Sequence, residues 1–552
     1  MANKKVLKRG KRQEMVSSGK SSRGRRFWII LGLVLSILGL VLGIFLFNRQ
    51  ATRSSVLNRL PVIPDLTHNT KILREKVTDA DQIVRKTFQT GGPDTTFGKK
   101  TGELGKLYQG NSYYDQAMKC YKLAMEFDPK NPQWPYLLAS VRQEKGENQS
   151  VWGLLERTID LAPDYSAAML KLADSYFKTG KTDKAKVYYE RRLSLVPGDP
   201  YALLGLGRIA LERSKWETGQ ANLQKSIDVD PNFGDAYRLI ATIHEHFGRS
   251  AEMELALERA AHCPPFRPAP DPWIDALGDL CYEPEQLLVR GAKATTGLDL
   301  DAAINKYYRR ALKIDPKNTK VQLAMGKALF LTGQRKEARA FFQKTIELDP
   351  KSDEAYFQIG VILQIERNLK EAVQMFLKAL ALLPDNENIY NNLGVALLDQ
   401  KRFPEAIKYL NKALDINPEN INARYNLGMS FWGQGKTHKA TEEFRQVLKL
   451  KPEWATAANS LAWILATDKS ANNRNGDEAV RWALVACRGA GRANPAYLDT
   501  LAAAYAEAGD FERAVKTAEE GLSIARAKGE TTLSENIPRK LQLYKSAKAF
   551  RN

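Results

Sequence analysis

The sequence predicts an all-α chain: an α-solenoid of about twelve helix-turn-helix repeats in two arrays, preceded by one transmembrane helix. Three observations predict it. Pro129, Pro163, Pro197, Pro231 and Pro265 stand 34 residues apart, and Pro316, Pro350, Pro384, Pro418 and Pro452 repeat that spacing. Proline cannot continue a helix, so each marks a helix end, and a fixed period of this length means stacked supersecondary units. Between the prolines a small–large–small order recurs, as in Gly360, Ala372, Phe376 and Ala379, or Gly394, Ala406, Leu410 and Ala413. Ahead of all this, Phe27 to Phe47 runs 21 residues without a charge.

The N-terminal elements follow in order. Residues 1–26 hold ten Lys or Arg and one acid, Glu14, so this basic tail carries much of the net charge of +20. As a helix, residues 27–47 would be about 31 Å long, enough for a hydrocarbon core of about 30 Å. The run is too long for the apolar core of a cleavable signal, which favours an uncleaved signal anchor. Basic residues crowd its N-terminal side, which places the tail in the cytoplasm and the rest across the membrane. Gly32, Ser36, Gly39 and Gly43 share one face of the span, with Gly39 and Gly43 spaced as GxxxG, a candidate homodimer face. Residues 48–100 read as a tether, with a helix from Lys71 to Phe88 whose apolar positions are Ile72, Val77, Ile83 and Val84.

The body divides into a first array, 101–265, a proline-rich insert, 266–285, a second array, 286–452, divergent repeats, 453–530, and a capping segment, 531–552. The small residue of a first helix (Gly360, Gly394) and that of a second helix (Ala372, Ala406) sit where the two backbones approach, and the aromatic (Tyr121, Phe342, Phe376) fills the wedge to the next unit. One such hairpin cannot bury its apolar face alone, so stacking supplies the core. The second unit is degenerate, with Val151 and Thr158 at alanine positions. The eleventh carries an insertion from Asp468 to Gly476. A cap is expected from Pro538, placed in a first helical turn, with Leu541, Leu543 and Tyr544 covering the last unit. The insert is expected to break the solenoid in two, with Asp271-Pro272-Trp273 giving it an aromatic anchor.

In repeat length, residue order and closing proline the body resembles the tetratricopeptide repeat (TPR). Asn459 to Trp463, Asn475 to Ala479 and Leu498 to Gly509 resemble the closing repeats of bacterial envelope-associated TPR proteins. The resemblance implies a concave wall of first helices that holds an extended peptide or a partner helix. Lys106, Arg208, Lys293 and Lys327, each placed just after a small position, are candidate groove cations for acidic partners. Asn392 and Asn426 resemble the asparagine ladder of O-linked N-acetylglucosamine transferases; the neighbouring rungs are Gln358, Ala324 and Ser460.

Catalytic chemistry is not visible. There is no GxSxG or HExxH; Gly180-Lys181-Thr182 and Gly435-Lys436-Thr437 lack the upstream glycine of a phosphate loop. Five histidines and four scattered cysteines without a CxxC argue against a metal centre, although a disulfide between Cys263 and Cys281 stays open. The expected function is a non-enzymatic, membrane-anchored scaffold without cofactor or metal. Its partners are other proteins and the bilayer, not nucleic acid, within a cell-envelope assembly or secretion complex. The alternative is an accessory or substrate-binding relative of an O-linked glycosyltransferase that lacks its catalytic domain.

Overall fold

At four successive junctions between repeats, the closing proline is followed two places on by a capping residue. Pro316, Pro350, Pro384 and Pro418 are followed two residues on by Asn318, Ser352, Asn386 and Asn420. Each of those side chains accepts a hydrogen bond from a backbone amide in the first turn of the next helix. Such a cap satisfies an otherwise orphaned donor and contributes about 1 kcal/mol. The computed structural model of the chain describes residues 55–552 apart from residues 92, 264–268 and 490–493. The tail 1–26, the run 27–47 and the stripe Gly32, Ser36, Gly39 and Gly43 lie outside the described residues. No helix among the described residues is long and apolar enough to cross a membrane.

The described residues are helical and contain no strand. They form twelve antiparallel hairpins, from the pair Asp94–Gly110 and Tyr114–Phe127 to the pair Pro495–Glu507 and Phe511–Ala527. Inside a hairpin the glycine of the first helix lies against the large residue of the second. A Cβ added at Gly326, Gly360 or Gly428 would sit 2.5, 2.6 or 2.7 Å from the ring of Phe342, Phe376 or Phe444. At Gly394 the corresponding neighbour is Leu410, at 2.6 Å. Ala338, Ala372, Ala406 and Ala440 are fully buried on the second helices. The turns repeat too: Gly146, Gly180, Gly248, Gly333, Gly435 and Gly509 all have φ between 66° and 83°, the left-handed region.

Two compact units result, one through Pro316 and one from Lys317. The boundary therefore falls one hairpin later than the proline-rich insert. The reason is that the insert folds back on its own array. Residues 269–283 run as short turns, Pro272–Asp275 and Ala276–Leu280, against the first helices of the first three hairpins. The sixth hairpin, Pro284–Thr296 followed by a π-helical stretch Ala302–Tyr308 and the helix Arg309–Ile314, closes over them. All four cysteines are free thiols, and Cys281 is buried.

Two further expectations change. The stretch expected to be a tether is, from residue 55 on, part of the first unit. Val56, Leu60 and Leu66 are buried, and the helix Lys71–Gln89 buries Leu73, Val77 and Val84 while Ile72 and Ile83 face solvent. Phe88, Phe97 and Phe127 pack together, with centroids 4.5, 4.9 and 6.0 Å apart. At the other end, the last helix starts at Thr531, seven residues before Pro538, which lies inside it. Ile537, Lys540 and Tyr544 form its buried face, with Leu541 and Leu543 half-buried.

Truncating Phe376, fully buried against Gly360, should lower the stability of the second unit by about 3–5 kcal/mol. Urea unfolding of Phe376→Ala beside the parent chain, followed by far-ultraviolet circular dichroism, checks this.

Candidate functional site

Residues three apart on a helix share a face, which builds a two-row surface on the second unit. Two positions before the small residue of consecutive first helices stand Gln358, Asn392, Asn426 and Ser460; one turn further stand Val361, Val395, Met429 and Trp463. All of these are partly exposed except Ser460, which is buried. Adjacent first helices touch along this face: Asn426 Nδ2 donates to Asn391 Oδ1 at 2.9 Å, and the Tyr425 and Ser460 hydroxyls are 3.3 Å apart. Asn459 Oδ1 is buried there with no hydrogen-bond partner among the described residues. An amide carries both a donor and an acceptor, so a row of amides beside an apolar stripe suits an extended backbone with apolar side chains.

The two candidate asparagines are already engaged. Asn392 donates to the Asn388 carbonyl at 2.9 Å within its own helix, and Asn426 holds Asn391. Gln358 donates to Glu354 at 2.7 Å, and Glu354 pairs with Lys327 at 3.1 Å. Ala324, the next rung, has no polar group.

The other cations are placed individually. Lys106 pairs with Glu103 at 2.9 Å and lies 5.2 Å from the Trp134 ring centre. Arg208 borders a cavity of about 340 Å³ that also contains Asp174, Asp235 and Asp271. Burial raises the Asp174 carboxyl above its ordinary range, and the Tyr189 hydroxyl, 2.6 Å away, partly opposes this. Lys293 is exposed and lies two residues after Gly291, the glycine that packs on Tyr308.

The far end of the second unit's surface is covered by the chain itself. Lys540 of the last helix forms a buried ion pair with Asp499 and lies 4.6 Å from the Trp463 ring centre and 5.3 Å from that of Phe550. Beside it, Glu507 binds both Arg474, at 2.9 Å, and Arg551, at 2.7 Å. Burial raises the Asp499 carboxyl, with the Lys540 ammonium acting against it. The stripe that stays open is therefore Val361, Val395 and Met429.

In the first unit the insert lies on the equivalent face. Tyr136, Tyr165 and Lys171 surround Asp271, and Asn111 meets the insert's backbone. None of these four was legible as a site residue. The available signal was that Tyr136 and Tyr165 fall outside the repeat's own aromatic position. Among the described residues no cluster of His, Cys, Asp and Glu is arranged to hold a metal.

Sequence profiles of the family described as Tetratricopeptide repeat match residues 102–131, 166–209, 204–268, 299–359, 351–419, 385–453, 425–497 and 495–520. Together these spans take in well over half of the chain. The chain belongs to the tetratricopeptide-repeat family. Individual relatives match only parts of it. Over 182 residues, 31% of this chain, it is 28% identical to the Protein CTR9 homolog of Arabidopsis thaliana. Over 127 residues, 23% of the chain, it is 28% identical to the UDP-N-acetylglucosamine–peptide N-acetylglucosaminyltransferase of Giardia intestinalis. These matches span only 16% and 8% of those proteins. Among solved structures, MamA is 27% identical and aligns with 31% of this chain and 94% of its own, at a TM-score of 0.29. The TPR assignment thus rests on the repeats themselves.

The buried pair in this TPR array gives a pH-dependent prediction. Lys540→Met leaves Asp499 buried without a counter-charge, which should cost about 3 kcal/mol at neutral pH. The Asp499 carboxyl is raised in the folded chain. Without Lys540 the carboxyl is raised further still, so the penalty relative to the parent is full above that higher value and gone below the parent's own raised value, where Asp499 is protonated in both folded chains. The deficit relative to the parent should shrink as pH falls through this window, as read from thermal midpoints at several pH values.

Proposed function

We propose that the chain is a membrane-anchored TPR scaffold. In this reading it receives an extended polypeptide on the first-helix face of its second array and has no catalytic activity of its own. The observation that carries the reading is the two-row surface. Over three successive repeats an amide, Gln358, Asn392 or Asn426, is followed one turn on by a half-buried apolar residue, Val361, Val395 or Met429. Backbone recognition by amides tolerates sequence variation, while the apolar stripe supplies burial, so the preferred ligand is an extended segment with regularly spaced apolar side chains. Anchoring follows from the uncharged run 27–47 and the basic tail before it, which orient the repeats away from the cytoplasm, in a cell-envelope assembly or secretion complex.

A photoreactive residue in place of Met429 should trap a polypeptide, and one in place of the exposed Lys412 on a second helix should not. Val395→Glu combined with Met429→Glu should weaken binding of that polypeptide by about tenfold or more, a loss of about 1.4 kcal/mol. Equal trapping at both positions would remove the groove from the reading. For the anchor, deleting residues 27–47 should move the chain from the membrane fraction to the soluble one.

The second reading is the accessory relative of an O-linked glycosyltransferase. The Giardia match favours it, as do Asn392 and Asn426 in ladder register. Against it, Ala324 breaks the ladder. Faster sugar transfer by a separate O-linked glycosyltransferase onto a polypeptide held by the chain would decide for it, whereas transfer by the purified chain alone would overturn the absence of catalysis in both readings.

A further inference from the structure

The insert of the first unit is held the way a receptor holds a peptide. Asp271, buried, receives the Tyr136 hydroxyl on Oδ2 at 2.5 Å and the Tyr165 hydroxyl on Oδ1 at 2.7 Å, with Lys171 Nζ 3.3 Å from Oδ2. Burial and the carboxylate's charge push both phenols above their ordinary range, so they stay protonated and donate. Trp273 stacks on Tyr165 with centroids 3.6 Å apart and planes 10° from parallel, and meets Tyr136 edge-on at 5.3 Å. Its backbone N–H donates to the Tyr165 hydroxyl at 3.2 Å.

The backbone of the insert is read as well. The Asn111 side chain donates to the Leu280 carbonyl and accepts from the Tyr282 N–H, both at 2.8 Å. A side-chain amide that both gives to and takes from one extended segment is a sequence-independent peptide contact. Gly110 permits the approach, because a Cβ there would lie 2.8 Å from the Leu277 carbonyl oxygen. These groups come from the ends and inner faces of three successive first-helix regions, the wall on which the second unit carries its amides. A charge-centred, aromatic-flanked contact with backbone reading gives specificity at modest net stability. Asp271 to Trp273 are held as a docked segment is, while further along the strap Leu277 and Cys281 are buried and Arg310 of the sixth hairpin donates to the Gly278, Asp279 and Cys281 carbonyls.

We propose that this face of the first array is a peptide-binding site whose resting occupant is the chain's own segment 269–283. A partner segment in which an aspartate is followed by proline and tryptophan exchanges with that strap. The proposal does not depend on the second array's function. Because the strap is tethered, it competes at an effective concentration on the order of millimolar, so a free segment binds the resting chain weakly.

The test uses a fluorescent peptide of residues 269–283, with Cys281→Ser, and the full chain. The peptide should bind a chain carrying Asp271→Ala and Trp273→Ala at least about tenfold more tightly than the parent. The same peptide with Asp271→Asn should lose that gain. With the parent chain, excess peptide should speed hydrogen exchange across 271–282 and leave the second unit unchanged. Failure of the peptide to bind a double variant that keeps its helical circular dichroism overturns the proposal. So does loss of that signal in the variant, which would make the strap part of the fold's core, or unchanged exchange in the parent at saturating peptide.

Discussion

The close approach of a first-helix glycine to a second-helix ring carries the architecture. At Gly326, Gly360 and Gly428 no Cβ fits, because the ring occupies its place. That contact sets the separation of the two helices, and repeating it every 34 residues sets the same separation in each hairpin. Phe342, Phe376 and Phe444 are fully buried at these contacts. The inner wall depends on this constraint. Only when successive first helices present the same residues in the same register can Asn426 reach Asn391, or a stripe run from Val361 to Met429.

The two units use that wall differently. The second leaves part of it uncovered, bounded at its end by the Asp499–Lys540 pair and the Trp463–Phe550 contact. The first closes it with its own insert, through groups that would serve equally well for a foreign chain. Both coverings are anchored by an aspartate. In one, Asp499 is on the wall and its lysine on the covering helix; in the other, Asp271 is on the strap and Lys171 on the wall. A buried charge loses much if its partner leaves, so each covering is specific in position even where its net contribution is small.

Periodicity made the repeats readable, because each hairpin is a local event of about 30 residues and its signal recurs. The closing prolines and the small–large–small order were legible for that reason, whereas the contact of each glycine with the ring of its own hairpin was not, since the ring was expected against the next unit. The strap was not legible either, because its contacts join residues far apart in the chain: Asn111 meets Leu280 and Tyr136 meets Asp271 across 169 and 135 positions. Tyr136 falls outside the repeat's own aromatic position, but nothing local says what it meets. The last helix misled for a different reason. Pro538 reads as a first-turn residue, yet the helix starts at Thr531 and runs through it, keeping Ile537, Lys540 and Tyr544 buried. Asn392 and Asn426 were found by register, but that their amide groups bind within and between helices depended on Asn388 and Asn391, which the ladder pattern ignores.

The turns between paired helices hold one further lesson. Where six turns place glycine in the left-handed conformation, others place Ser112, Ser214, Leu298, Arg367 and Lys401 there, with φ between 54° and 68°. A side chain in that region costs roughly 1–2 kcal/mol. These residues lie at the hairpin tips, away from both the ring contacts and the amide row. A single tip residue can therefore set the toughness of its hairpin while the glycine–ring contacts stay in place.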